Sequence, residues 1–266
     1  MSTQFEQDIL TRILETKRKE LAAKRFTEPD GQFRRSGRLS LRQALLDSET
    51  GIIAEFKRKS PSRGWIHEDA RPEEVIPSYA AAGAAALSIL TDEEYFGGSL
   101  DFIRRVRGVV NIPILRKDFI ISPVQLEEAA RAGADAVLLI ASCLTPGDCA
   151  SLTAKAHDLG LEVLLEIHST EELDYITPDI DVVGVNNRHL GSFVTDVKTS
   201  FDLAAQLKKI SASRPESTVF ISESGLSDPA TVKKLRSVGY RGFLMGENFM
   251  KQDSPAGALA EFIREL

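Results

Sequence analysis

Cysteine is scarce in this chain, and its two thiols, Cys143 and Cys149, flank a Thr-Pro-Gly turn without the CxxC spacing of a metal site. They read as buried or half-exposed free thiols, which suits a reducing cytoplasm. Histidine is nearly as sparse. His67, His157, His168 and His189 form no local cluster with carboxylates or thiols, so no metal is expected and the four read as structural or surface groups. His168 and His189 are the two closest to candidate chemistry. A Walker A loop is missing, and so is a GxGxxG string after a strand, which weakens any nucleotide or nicotinamide role. The N-terminus lacks a continuous apolar run and carries Glu6, Asp8, Glu15 and Glu20 among its basic residues, which argues against a signal peptide, a transit peptide or a membrane span. Positive charge is not in excess: the formal net charge is −6, so nothing draws the chain globally to nucleic acid. An anionic ligand has to be held locally.

What the chain does have is ordinary globular material, 42% hydrophobic and 27% charged over 266 residues. That length suits one large α/β barrel or two small domains. Phe5, Ile9, Ile13 and Leu21, with Leu10 and Leu14 beside them, recur at helical spacing and predict an amphipathic helix over residues 4–25. The polar stretch Thr27–Arg38, with Pro29, Gly31 and Gly37, reads as a linker loop. Beyond it, eight apolar strand-like runs appear: Ile52–Phe56, Ala86–Leu90, Ile112–Arg116, Ala136–Ile140, Val163–Ile167, Val182–Val185, Val219–Ile221 and Phe243–Met245. Helix signals separate them. Pro72, Ser99, Ser122-Pro123, Thr145-Pro146, Ser169, Ser200, Asp228-Pro229 and Ser254-Pro255 each stand before a helical stretch. Glycines of the Ala-Gly-Ala pieces at 82–84 and 132–134, and Gly239, fall where helices should end. Continuous Val/Ile/Leu runs suit parallel strands covered by helices. Eight strand–helix units predict an α/β fold, a (β/α)8 barrel over residues 1–266 with 1–45 as an N-terminal helical extension; a doubly wound open sheet is the alternative.

Glu55, Lys57, Lys117, Glu166, Asn186, Arg188, Glu223 and Ser224 each sit at, or just past, the C-terminal end of one of these runs. In a barrel those ends converge on one rim. Period-two geometry sends Glu55 and Lys57 to the same side of their strand, opposite Phe56. A lysine such as Lys117 at a barrel mouth, desolvated beside other charges, serves as a proton donor or a Schiff-base amine. Glu166 follows apolar strand residues, and burying that carboxylate costs several kcal/mol unless cations lie across the cavity. Ser60 belongs to a Ser-Pro-Ser turn beside basic residues. Ser224-Gly225 and Gly246-Glu247 follow the seventh and eighth runs, where many barrels hold a phosphate.

The strings Ala54-Glu55-Phe56-Lys57-Arg58-Lys59-Ser60-Pro61-Ser62, Leu115-Arg116-Lys117-Asp118-Phe119-Ile120, Gly184-Val185-Asn186-Asn187-Arg188 and Ile221-Ser222-Glu223-Ser224-Gly225 resemble those of indole-3-glycerol-phosphate synthases. Leu90-Thr91-Asp92, Tyr95-Phe96-Gly97-Gly98-Ser99 and Leu164-Leu165-Glu166 extend the likeness over nearly the whole chain. The resemblance implies a TIM-type barrel in tryptophan biosynthesis. It would convert 1-(2-carboxyphenylamino)-1-deoxyribulose 5-phosphate to indole-3-glycerol phosphate with loss of carbon dioxide and water. No cofactor is implied, and the expected partner is a small phosphorylated substrate; a monomer is expected because no amphipathic segment is left over beyond the first helix. It implies Lys117 as general acid on the ketone oxygen and Glu166 as the proton carrier in dehydration, with Glu55, Lys57, Asn186 and Glu223 completing the reacting centre. Arg188 would meet the substrate carboxylate. Ser60, Ser224, Gly225, Gly246 and Glu247 would contact substrate and phosphate, and Phe96, Phe119 and Leu138 would wall the aromatic ring. Two features depart from the family pattern: His189, where an acid is common, and the small loop Gly191-Ser192-Phe193. From the residues alone, a Schiff-base aldolase or sugar-phosphate isomerase, or a non-catalytic phosphate-binding barrel, remain alternatives.

Overall fold

Short runs of Val, Ile, Leu and Ala, buried on both faces, set the frame of the molecule. The structure, a computed structural model, describes residues 9–23, 37–189, 194–213 and 218–266. Phe5, most of the Thr27–Arg38 linker and the Gly191-Ser192-Phe193 loop therefore lie outside the described residues.

Eight parallel strands close into a barrel: β1 Ile52–Phe56, β2 Ala86–Leu90, β3 Ile114–Lys117, β4 Ala136–Ile140, β5 Glu162–Ile167, β6 Val182–Asn186, β7 Val219–Glu223 and β8 Gly242–Met245. Closure comes from β1 pairing with both β2 and β8, in registers such as Ile53 with Ala86 and Ile52 with Phe243. The open sheet is thereby excluded. β3 begins later than its apolar run because Pro113 has no N–H for the ladder; its carbonyl still accepts from the Leu87 N–H at 2.9 Å.

The helices begin α1 Ile9–Ala23, α2 Leu41–Asp47, α3 Pro72–Ala81, α4 Glu93–Phe96, α5 Leu100–Arg107, α6 Pro123–Ala132 and α7 Pro146–Asp158. They continue with α8 Lys198–Ala212, α9 Pro229–Ser237, α10 Glu247–Met250 and α11 Pro255–Arg264. The hydroxyl or carboxylate before each of α5, α6, α7, α9 and α11 accepts from a first-turn backbone N–H. Gly133 and Gly239, at φ 95° and 117°, close helices in the left-handed region as their positions predict. Two helix starts differ from expectation. Ser169 makes no cap, and Thr170–Tyr175 forms a 3-10 turn. Ser200 lies inside α8, where its hydroxyl is committed to Asn187 Oδ1 and Ser222 Oγ, both at 2.8 Å. Helices α2, α4 and α10 are too short to carry a readable period.

Side-chain alternation divides the apolar residues into two packed sets. Ala54, Phe56, Leu87, Ile89, Val137, Leu139, Leu165, Val183 and Phe243 face outward against the helices. Ile53, Leu115, Leu138, Leu164, Val182, Ile221 and Leu244 fill the barrel interior. The N-terminal segment covers both ends of that interior. Leu41 and Leu45 of α2 are fully buried beneath it, and α2 is tied to the strand starts by Ser40 and the Arg42 N–H, both bonded to Glu162. Helix α1 lies at the opposite, C-terminal end, with Ile13 packed into the same interior cluster.

A buried ion network fastens α1 there. Lys17 Nζ lies 2.9 Å from Asp92 Oδ2, 3.1 Å from Asp118 Oδ1 and 2.9 Å from Glu20. Asp118 also accepts from Arg116 at 2.9 Å and from the Thr91 hydroxyl at 2.6 Å. No helix among the described residues is long and apolar enough to cross a membrane.

Burial raises the Asp118 carboxyl, but Arg116 and Lys17 outweigh it and hold it down at about 2. Its contribution to stability is therefore complete above the ordinary value of 3.8 and is lost as pH falls toward 2. Removing one partner from a buried pair is strongly destabilising. We predict that Lys17→Met lowers the unfolding free energy by roughly 3 kcal/mol at pH 7 and moves the acid transition to higher pH. Urea unfolding at pH 7 and pH 4 measures both, and a variant matching the parent would show that apolar contacts alone hold α1.

Candidate active site

The inward alternation that fills the barrel with Ile53, Leu115, Leu164 and Ile221 places Glu55, Lys117, Glu166 and Glu223 two residues further along the same strands. Asn186 ends β6 in the same way, and Lys57 follows β1 in phase with Glu55. The top layer of the interior is therefore charged, where the layers below are apolar. All eight polar rim residues named from the sequence line one cavity of about 380 Å³ at the C-terminal ends of the strands.

Lys117 is its electrostatic centre. Its Nζ lies 3.2 Å from Glu166 Oε2 and 3.4 Å from Glu223 Oε2, while Lys57 Nζ lies 2.8 Å from Glu55 Oε1. Burial opposes the Lys117 charge, but Glu166, Glu223 and Glu55 together overrule it and push the amine above its ordinary value. Burial also works against Glu55, yet Lys57, Lys117 and Arg188 hold that carboxyl below the usual range. Glu166 is held down in the same way, by Lys117 first and then by His168 and Asn186. Glu223 goes the other way: burial, with Glu166 and Glu55 as like charges, exceeds the help from Lys117 and raises it.

The rest of the rim supplies shape. Phe96 and Phe119 pack with centroids 6.1 Å apart and, with Leu138 and Ile140, form an apolar wall. Arg188 donates to Ser62 Oγ at 3.1 Å and lies 3.5 Å from Glu247, which also meets Arg63 at 3.3 Å. Ser224 is the one described non-glycine residue with positive φ, 67°, and Gly225 follows at 73°. A non-glycine residue held there stores about 1–2 kcal/mol of strain. That turn lies at the end of β7, where Ser224 and Gly225 both line the cavity. Gly246 serves a different need, because a side chain there would come within 2.5 Å of the Glu55 carboxylate.

Of the residues expected at the site, Ser60 alone does not reach the cavity. It sits in a small hairpin, Lys59–Ser60 against Gly64–Trp65, with its hydroxyl buried and unpartnered, and its neighbours Pro61 and Arg63 line the wall instead. Two groups escape the sequence reading. Ile9, Leu10 and Ile13 bring α1 into the cavity wall; their helical period shows an apolar face but not what it covers. His168, read as structural or surface, lies half-buried against Glu166. Its in-phase position two residues after Glu166 was the available signal. Among the described residues no group of three or more His, Cys, Asp or Glu side chains could hold a metal ion.

Comparison with known proteins agrees with this geometry. The family model for indole-3-glycerol phosphate synthase matches residues 10–265. The chain is 53% identical over 265 residues to the indole-3-glycerol phosphate synthase of Bacteroides thetaiotaomicron, spanning 98% of this chain and 99% of that one. The enzymes of the same name from Carboxydothermus hydrogenoformans and Halalkalibacterium halodurans are 44% identical over 226 residues and 43% over 253, covering 83% and 93% of this chain and of their own lengths. A solved structure titled "Native KDPGal structure" shares the fold, with a TM-score of 0.56 over 82% of this chain and 95% of its own at 14% identity. With a match that runs from α1 to the last helix, the chain belongs to the indole-3-glycerol phosphate synthase family.

Proposed function

We propose that this protein closes the indole ring: it converts 1-(2-carboxyphenylamino)-1-deoxyribulose 5-phosphate to indole-3-glycerol phosphate, carbon dioxide and water in tryptophan biosynthesis. The observation that carries the reading is a half-buried ammonium, Lys117, held between the buried carboxylates of Glu166 and Glu223 beside an apolar wall. Ring closure needs that pairing. Attack of the carboxylate-bearing ring carbon on the ketone builds negative charge on the ketone oxygen, and the Lys117 ammonium donates a proton to it. Loss of carbon dioxide then returns the bonding electrons to the ring. Departure of the new hydroxyl as water requires a proton at that oxygen and removal of another, which we assign to Lys57 and Glu166 with Glu55, Asn186 and Glu223 tuning the charge.

Binding follows from the rim. Arg188 meets the substrate carboxylate, and Phe96, Phe119 and Leu138 sandwich the aromatic ring. Backbone N–H groups of Ser224, Gly225, Gly246 and Glu247 take the phosphate. The Glu247 carboxylate itself repels phosphate, and its part is to orient Arg63 and Arg188. We propose a monomer working in the cytoplasm, with residues 1–45 as an extension of one barrel domain.

Purified protein given the carboxyphenylamino-deoxyribulose phosphate is expected to generate indole fluorescence. Lys117→Ala and Glu166→Gln should each lower kcat by roughly 10²–10⁴-fold with folding retained by circular dichroism. Unchanged turnover would leave the rim a recognition surface only. Borohydride is expected to trap no lysine adduct, and an adduct would favour Schiff-base chemistry.

Glu223 yields an independent prediction. Its folded carboxyl is raised above the ordinary 4.5, so its contribution to stability is present below that value and is lost as pH rises through the folded one. Glu223→Gln, neutral at every pH, should therefore match the parent in thermal stability near pH 4.5 and exceed it at pH 9, while losing about tenfold or more in kcat. Calorimetry across that range checks the sign; a variant less stable at pH 9 would mean Glu223 is a stabilising anion.

A further inference from the structure

Two carboxylates flank the same ammonium at nearly equal distance, Glu166 at 3.2 Å and Glu223 at 3.4 Å from Lys117 Nζ, and both are buried. Their surroundings differ in one cation. His168, in phase with Glu166 past the end of β5, places Nε2 3.3 Å from Glu166 Oε1, while Lys117 lies against Oε2. Glu166 thus has a separate cation at each oxygen. The Glu223 oxygens and the His168 ring nitrogens alike make no hydrogen bond, so each is held by charge contact alone: Glu223 by the shared Lys117, and His168 by Glu166 and Glu172.

We infer that His168 is a positioning residue that makes Glu166, rather than Glu223, the carboxylate carrying the negative charge beside Lys117. The inference rests on the proposed role of Glu166 as the group that moves a proton in the dehydration step. His168 does not line the cavity, so it acts through Glu166 and not on the substrate.

The groups around the imidazole support a cation there. Glu172, on the 3-10 turn after β5, lies 3.5 Å from Nδ1 through Oε2, and the same oxygen accepts from the His168 backbone N–H. That second contact fixes Glu172 relative to the ring. Cys143, on the turn after β4, adds no charge: burial first, then Glu166 and Glu172, push its thiol up to about 12. Across the site, Asn186 and Lys117 face Glu166 from β6 and β3. Burial opposes protonation of His168, but its two carboxylate neighbours overrule it and raise the imidazole to about 9. At neutral pH the chain Lys117–Glu166–His168–Glu172 alternates in sign. Glu223 lies outside that chain and takes the proton instead.

His168→Gln tests this, because the amide keeps a donor but no charge. Without the second cation Glu166 and Glu223 become near-equivalent, and Glu166 binds a proton more readily. We expect kcat to fall about ten- to a hundredfold with KM within about threefold, and the acidic limb of the kcat profile to move up by about one pH unit. A kcat within about twofold of the parent with an unmoved acidic limb would overturn the inference. A readout free of turnover runs in parallel. In nitrogen-15 spectra of the four histidines, assigned to His168 by the signal lost in His168→Gln, the ring should titrate near 9 and drop below about 7 in Glu166→Gln. A ring titrating near the ordinary 6.5 and indifferent to Glu166→Gln would overturn it as well. A parent enzyme without turnover whose His168 still answers to Glu166 would remove the proposed reaction and uphold the charge assignment.

Discussion

One ammonium at the top of an apolar barrel interior constrains most of what surrounds it. Lys117 is tolerable at the top of an interior packed with Ile53, Leu115, Leu164 and Ile221 because carboxylates meet it from other strands. An isolated buried ion costs several kcal/mol after relaxation, and only close opposite charge recovers that cost. The acids in turn need cations, which brings in Lys57 beside Glu55 and His168 beside Glu166. The polar residues are energetically one group. Glu55, Glu166 and Glu223 are not surface salt-bridge partners, since all three carboxylates are buried.

The N-terminal segment extends that constraint to both ends of the barrel. Helix α2 closes the interior from below with Leu41 and Leu45, while α1 brings Ile9, Leu10 and Ile13 to the cavity wall above. The Lys17 network joins α1 to Asp118, the residue after Lys117, and to Asp92, which caps α4 through the Tyr95 N–H. Helix α4 ends at Phe96, and Phe119 follows Asp118. The two rings of the aromatic wall are therefore set by the same ions that hold the helix. A shift of α1 acts on the substrate pocket through both.

Much of this was legible from residue order. Eight continuous apolar runs separated by Ser-Pro, Thr-Pro and Asp-Pro signals announce strand–helix repetition, and period-two phasing of Glu55 with Ile53 puts the charge on the inside. Four ordered strings point to the family. What stayed hidden has a physical reason in each case. The Ser60 hydroxyl turns away because a two-residue hairpin pairs it with Gly64, a contact set by the turn and not by the strand's phase. Ser200 looks like a helix cap but is consumed by Asn187 and Ser222, partners distant in sequence. The face of α1 could be read, its destination could not. His168 was passed over because a lone histidine near a rim resembles many structural ones until its distance to Glu166 is known.

The balance of charge explains how such a site accepts a substrate bearing both a carboxylate and a phosphate. Six carboxylates line the cavity or its rim, Glu55, Asp92, Asp118, Glu166, Glu223 and Glu247, and unanswered they would repel that ligand; Asp92 and Asp118 are already met by Lys17 and Arg116 from outside the cavity. Lys57, Lys117, Arg188, Arg63 and Lys251 face the same space. Raising Glu223 toward its neutral form removes the one anion that lacks a cation of its own, and Glu247 is already engaged by two arginines. The remaining surplus is positive, at the rim to which the proposed reading assigns the carboxylate and phosphate. On the proposed reading, decarboxylation would release that carboxylate as neutral gas and return Arg188 to its contact with Glu247. Release of carbon dioxide would thus reverse the local preference that draws the proposed substrate in, so that the same side chains would serve binding before the chemistry and relaxation after it.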